Sequence, residues 1–149
     1  MTNEELVELI NSDLKNELLH MKFYLHASSR VQSLFREELR EFFTEEAQDE
    51  MKHCQQFADM VVYLGGTPVT DGNPLPDIDY TDPQAVLAKT VELENEVAEI
   101  YSKRLRQTES HANSNVSRTH VFYEDQIQDS WDTAKEVEQM IARTVAFSQ

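Results

Sequence analysis

Four glutamates occupy helical positions within the apolar stripe of their own segment, where a carboxylate is unexpected. The four are Glu17, Glu50, Glu94 and Glu124. Glu17, for example, continues the spacing set by Ile10 and Leu14, which predicts an inward side chain. Burying one unpaired carboxylate costs several kcal/mol, so four would rival the roughly 5–15 kcal/mol net stability of a domain. Something in the interior must therefore neutralise them.

Bound divalent metal ions fit this charge better than any other partner. His53 follows Glu50 by three residues and projects from nearly the same helix face, adding a neutral nitrogen. A Glu from each of two helices plus a Glu-x-x-His motif from each of the others is the arrangement of di-iron carboxylate sites in four-helix bundles. Oxygen and imidazole ligands without nearby thiolates favour iron or manganese over a closed zinc site. The alternatives are ion pairs with Lys or Arg, or protonated carboxyl groups, but few basic residues share these stripes.

The apolar spacing predicts four helices that would carry these residues. Thr2 and Glu5 form a capping-box pattern, which starts a first helix that continues into the low thirties. The second helix ends at Gly65-Gly66, because glycine accepts the positive φ of a C-cap. Thr81-Asp82-Pro83 begins the third helix. The polar segment SHANSN at 110–115 is predicted as a turn before the fourth.

A long connection between the second and third helices determines the fold class. Residues 66 to 81 form it, and they contain Pro68, Pro74 and Pro76. Two helical hairpins joined by one long crossover predict an all-α four-helix bundle. The fourth helix continues without a glycine break to a short tail, TVAFSQ, so no fifth helix is expected. A length of 149 residues predicts a single domain over 1–149.

Composition excludes several classes of function. The chain has 13 Lys+Arg against 28 Asp+Glu, a formal net charge of −15, with no basic cluster, so no nucleic-acid partner is expected. Cys54 is the one cysteine, which excludes a disulfide framework and suits a reducing compartment. No apolar run approaches a membrane span, and the amino terminus is acidic where a signal peptide would be basic. These features predict a soluble, cytoplasmic protein without a membrane partner.

Several stretches of the chain resemble the bacterioferritins, a family of bacterial ferritins. They are NELLHMKFYLHA (16–27), DEMKH (49–53), YLGGTP (63–68) and LENEVAEIY (93–101). The resemblance covers most of the chain through residue 105 and implies a ferritin-like bundle with a di-iron site. It implies that Glu17, Glu50 and His53 hold one iron. Glu94 would hold the other with Glu50 bridging, and Tyr24 would be the adjacent tyrosine, a potential electron donor.

The fourth helix departs from the family pattern. EDQIQDSWDT (124–133) aligns with the second Glu-x-x-His segment of the family. This alignment makes Glu124 the second bridging carboxylate and puts Ile127 where the histidine belongs. His120, four residues before Glu124, either supplies the lost nitrogen or is a hydrogen-bonded histidine near the bundle end. If the fourth helix is aligned on Trp131 instead, Asp125 and Gln128 become the candidate ligands. Their spacing is that of a solvent-exposed helix face.

Met51 occupies the position that supplies a haem axial ligand from each subunit in bacterioferritins. Its neighbours on that face include Thr44, Gln48 and Gln55, whereas a haem slot should be apolar. A methionine on a helix is also more often a packing residue than a ligand. Haem is therefore a candidate cofactor that we do not expect to bind.

The resemblance implies a ferroxidase that oxidises Fe(II) with O2 or H2O2 and stores the product in a homo-oligomeric shell of 12 or 24 subunits. A non-storing oxidase or peroxidase of the rubrerythrin type is the first alternative, although no four-cysteine segment is present. A degenerate protective bundle is the second, since Ile127 replaces a ligand. A DNA-protecting miniferritin is related, but its metal site lies between subunits and this chain has no basic tail.

Overall fold

All the regular secondary structure in the described part of the chain is α-helical. The structure is a computed structural model that describes residues 1–109 and 114–148, with side chains over 1–109 and 119–143. The helices are α1 (Asn3–Arg30), α2 (Arg36–Tyr63), α3 (Pro83–Thr108) and α4 (Ser114–Ser148). These ranges contain no strand, and none of these helices is apolar enough over a sufficient length to cross a membrane. Of the turn predicted at 110–115, residues 110–113 lie outside the described residues, and Ser114 already belongs to α4.

The chain forms two compact units, Met1–Val86 and Leu87–Gln149. The first unit contains α1, α2 and the connection after them. Its largest fully buried aromatic side chains are Phe23, Tyr24, Phe43 and Phe57. In the second unit, Tyr101 and Tyr123 make an edge-to-face ring contact with centroids 5.1 Å apart. The single domain over 1–149 stays a prediction.

The helix ends follow the capping pattern of the sequence. Thr2 Oγ1 accepts a hydrogen bond from Glu5 N at 3.1 Å, and Thr2 N donates to Glu5 Oε2 at 2.8 Å, which completes the predicted capping box. Gly65 has φ +87° just after α2, a left-handed conformation that glycine adopts without penalty. Asp82 Oδ1 accepts from Gln84 N at 2.9 Å where α3 begins. The predicted start of α1, the predicted end of α2 and the predicted start of α3 are therefore confirmed.

The predicted crossover is an irregular segment that packs on α1. Residues 64–82 contain no helix. The Asn11 side chain donates from Nδ2 to the Thr67 carbonyl and accepts from Val69 N, both at 3.0 Å. Further along, Asn73 N donates to a backbone carbonyl of α1 at 3.0 Å. These bonds keep the connection in place on the helix that carries Glu17.

Gly72 lies where this connection comes closest to α1, so an added methyl group should destabilise the protein. A Cβ at Gly72 would lie 2.8 Å from Leu18 Cβ and 3.1 Å from Leu19 N, and the backbone would have to shift. We expect Gly72→Ala to lower the free energy of unfolding by about 1–3 kcal/mol, measured by urea denaturation. The exposed control Thr70→Ala should stay within about 0.5 kcal/mol of the parent. Equal stability of the Gly72 variant would contradict this close approach.

Candidate metal centre

Glu17 of α1 meets Glu50 and His53 of α2 inside the first unit. His53 Nδ1 lies 3.6 Å from Glu17 Oε2 and 3.4 Å from Glu50 Oε2. One ligand atom from each of the three lies within 4.8 Å of the others. Their side chains are 3%, 6% and 15% exposed, in the order Glu17, Glu50, His53. The predicted inward orientation of both glutamates is confirmed.

The sequence of α2 accounts for this placement. Phe43, Glu50 and Phe57 recur at seven-residue intervals, about two helical turns, and all three are buried. The two aromatic rings bury this face of the helix, and Glu50 is buried because it lies on the same face. His53 is one turn further along, so its ring reaches the same carboxylate.

Glu17 is ionised in this surrounding. Burial alone would raise the pKa of Glu17, but side-chain hydrogen bonds with Glu50 and His53 lower it, helped by the charges of His20 and His53. The net result is a Glu17 pKa of about 2. Glu17 is therefore a carboxylate at neutral pH, and it offers a cation an anionic oxygen without first losing a proton.

Cys54, next to His53 in the sequence, does not change this set of donors. The thiol is buried, and burial together with the negative charge of Glu17 raises the pKa of Cys54 to about 12. Among the described residues, neither group of potential metal-ligand atoms includes Cys54. The donors are thus carboxylate oxygens and imidazole nitrogens, which suit iron or manganese.

His20 belongs to the same cluster and was missed in the sequence. Its side chain is buried, with a relative exposure of 2%, and one of its ring nitrogens lies within 4.8 Å of a Glu50 carboxylate oxygen. The available signal was spacing: Glu17-x-x-His20 repeats the pattern of Glu50-x-x-His53. That repeat puts a carboxylate and an imidazole one turn apart on each of the two helices.

Tyr24 adjoins the cluster through His20. The two rings meet edge to face with centroids 6.3 Å apart. Tyr24 is fully buried and stacks on Phe43 with centroids 6.0 Å apart. Its position beside a candidate ligand agrees with the tyrosine expected next to the site, and its role as electron donor stays a prediction.

Glu94 is a buried carboxylate of the second unit. It lies on α3 with a relative exposure of 3%. Leu87 and Tyr101, seven residues before and after it, are also buried. The predicted inward orientation of Glu94 is therefore confirmed.

The predicted inward orientation of Glu124 is wrong, because this side chain is exposed. Within residues 119–143, where its side chains are described, α4 buries Thr119, Tyr123, Gln126, Ile127, Ser130, Thr133, Ala134 and Val137. At about 100° per residue, Glu124 lies roughly 120° from the centre of that face. The apolar side chains of Val121 and Trp131 lie outside that face and are 58% and 52% exposed. Over residues 119–143, α4 buries no carboxylate.

The other candidates on α4 do not supply a ligand to the interior either. Asp125 and Gln128 are exposed, and Gln128 Nε2 donates to Asp132 Oδ1 at 3.0 Å, which confirms a solvated face. His120 Nε2 lies 3.2 Å from the Leu105 carbonyl oxygen, and that oxygen accepts a hydrogen bond from the Nε2–H tautomer. His120 therefore matches the hydrogen-bonded alternative.

Met51 is 67% exposed on α2, so it does not pack in the core. Its neighbours Gln48 and Gln55 are exposed too, and Gln55 Nε2 donates to Asp59 Oδ1 at 2.9 Å. A porphyrin placed against Met51 would desolvate both amides, at a cost of about 1–3 kcal/mol each where they lose their partners.

We therefore expect no haem binding at Met51. The protein mixed with haem should give no bis-methionine absorption spectrum, and Met51→Leu should give the same trace as the parent. A bis-methionine spectrum that disappears in Met51→Leu would contradict this expectation.

The family model of the ferritin-like domain matches residues 7–146. The chain belongs to the ferritin-like family. A ferritin-like, diiron-carboxylate protein from Bacillus anthracis is 30% identical to it, with a TM-score of 0.83 over 93% of this chain and 96% of that chain. None of the curated protein sequences matches this ferritin-like protein.

Two more distant structures show the same fold. A dodecameric thioferritin from Bacteroides fragilis is 18% identical, with a TM-score of 0.84 over 99% of this chain and 90% of that chain. The bacterioferritin of Desulfovibrio desulfuricans, which has a diiron site, is 20% identical, with a TM-score of 0.84 over 94% and 80%. The predicted fold class, a ferritin-like four-helix bundle with a long connection after the second helix, is confirmed.

Proposed function

We propose that this ferritin-like protein binds iron at the centre formed by Glu17, Glu50 and His53, oxidises Fe(II), and stores the ferric product in a homo-oligomeric shell. The observation that carries the proposal is the buried cluster itself. Two carboxylates and an imidazole offer ligand atoms within 4.8 Å of one another. A divalent cation offsets the desolvation cost of such a cluster.

Each residue of the centre has a distinct role in this proposal. Glu17, ionised by its surroundings, contributes a full negative charge to the first metal ion. His53 presents Nδ1, the atom nearest both carboxylates, as a neutral ligand. Glu50 has two oxygens and can share them between two metal ions. Two Fe(II) ions held in this way can reduce O2 and two protons to H2O2, or H2O2 and two protons to two waters, with each iron giving one electron.

Glu94 is proposed as a carboxylate ligand of the second iron. Its burial on α3 and its place in the stretch LENEVAEIY support this role. A cation bound beside a buried carboxylate favours its charged form, so iron and Glu94 would stabilise each other.

A storage role also needs an enclosed space. The Bacteroides fragilis relative is dodecameric, and homo-oligomers usually close by symmetry. A formal net charge of −15 per chain would attract cations to a lumen lined by such chains. The single free cysteine, which is buried, fits the proposed cytoplasmic location.

The test of this function is O2 consumption after anaerobic loading with Fe(II). Wild-type protein should consume one O2 for every two Fe(II) when H2O2 is the product, and the iron should elute with the protein on gel filtration. Glu94→Ala should slow oxidation by at least about tenfold, whereas Glu96→Ala, an exposed control on the same helix, should not. Loaded protein that oxidises Fe(II) no faster than buffer would contradict the proposal.

A further inference from the structure

We propose that His20 is the nitrogen ligand of the second metal ion and takes the part that the family assigns to a histidine on the fourth helix. This inference rests on the proposed di-metal function. On α4, Ile127 stands where the family pattern has a histidine, so the second metal ion lacks the nitrogen ligand expected there.

The geometry of the first unit supports His20 directly. Its ring is 2% exposed, and a ring nitrogen lies within 4.8 Å of a Glu50 carboxylate oxygen. His53 Nδ1 lies 3.4 Å from Glu50 Oε2. Two imidazoles from two helices are thus within reach of one carboxylate, and a carboxylate that bridges two metal ions can give each of them a histidine neighbour.

The described side chains of α4 offer no competing nitrogen donor of the same kind. Its buried polar side chains are the hydroxyls Thr119, Ser130 and Thr133 and the amide Gln126. His120 lies 3.2 Å from the Leu105 carbonyl, which occupies its Nε2. Within residues 119–143, α4 therefore buries neither an imidazole nor a carboxylate.

Chemistry favours histidine at this point on α1. An imidazole that releases its proton when it binds a metal ion adds a ligand without adding negative charge to a cluster that already holds two carboxylates. Tyr24 meets the His20 ring edge to face, and this contact restricts its orientation. A ring held in place loses little freedom when it binds a metal ion.

Anaerobic titration with Co(II), followed by calorimetry and visible absorption, tests the assignment. The parent protein should bind two Co(II) per chain. His20→Gln should keep the first equivalent and weaken the second by at least about tenfold, because even partners outside the ligand shell are worth 10- to 100-fold in affinity. His26→Gln is the matched control, since His26 lies on the same helix and packs on Tyr80, with ring centroids 6.0 Å apart. That control and His120→Ala should both titrate like the parent.

A second variant gives a signal that does not depend on loss of binding. In His20→Cys a thiolate would replace the imidazole, so the Co(II) form should gain a sulfur-to-cobalt charge-transfer band in the near ultraviolet. The parent should lack this band, because neither group of potential ligand atoms among the described residues includes Cys54.

The outcomes separate the two proposals. If His20→Gln binds both Co(II) ions like the parent, if His120→Ala weakens the second equivalent, or if His20→Cys shows no new band, the assignment of His20 is overturned while the proposed function stands. A parent protein that binds no Co(II) would overturn both.

Discussion

Replacing Glu50 with alanine should abolish the binding of both metal ions. A carboxylate oxygen of Glu50 lies within 4.8 Å of a ring nitrogen of His53 and also of a ring nitrogen of His20. Its removal takes away the bridge and leaves Glu17 as the buried anion of the pair. Mutation of a residue that only contacts a metal ligand lowers metal affinity by about 10- to 100-fold. Because Glu50 is itself a proposed ligand, we expect its loss to lower the affinity for each equivalent by more than about 100-fold. Calorimetric titration with Co(II) measures it.

The control for this variant is Glu45→Ala, which removes an exposed carboxylate from the same helix and should titrate like the parent. Glu50→Gln keeps the volume but loses the charge, and it should resemble Glu50→Ala. A Glu50→Ala protein that keeps one tight equivalent would show that the carboxylate serves only one metal ion. In that case the bridging role would have to be reassigned.

Light scattering should show a particle of many subunits. Large apolar side chains of the first unit are exposed: Leu25, Leu34, Met51, Val62 and Tyr63, at 56%, 100%, 67%, 60% and 59%. Side chains of this kind become buried when subunits associate. With a chain of 17.3 kDa, a closed shell of twelve has a mass of about 210 kDa and one of twenty-four about 415 kDa.

A monomer or a simple dimer at micromolar concentration would contradict storage. Such a result would leave the metal centre intact and favour a non-storing oxidase of the rubrerythrin type. Measurement at two protein concentrations distinguishes a stable shell from a loose association, because only the latter dissociates on dilution.

Much of the first unit could be predicted from the sequence because its signals are local. The capping box at Thr2 and the positive φ of Gly65 depend on residues close together in the chain. Glu50 and His53 were recognised for the same reason, since one helical turn separates them. The inward orientation of Glu17 followed from a strong apolar stripe on α1.

The errors arose where the pattern is weak or the contact is tertiary. The buried face of α4 includes Gln126, Ser130 and Thr133, while Trp131 lies outside it, so hydrophobicity indicated a face rotated by about a third of a turn. That rotation led to the wrong prediction for Glu124. The spacing of Glu17 and His20 indicates only that they share a face of α1. That the His20 ring meets Glu50 depends on how α1 packs on α2, which spacing alone does not show.

The proposed function requires iron at Glu50 of α2, the carboxylate that lies beside Glu17 and His20 of α1. Diffraction from crystals soaked anaerobically with Fe(II), recorded on both sides of the iron absorption edge, tests it most directly. We predict two anomalous peaks per chain, one ligated by Glu17, Glu50 and His53 and the other sharing Glu50 with His20. Anomalous peaks confined to exposed carboxylates, with none at Glu50, would contradict the claim.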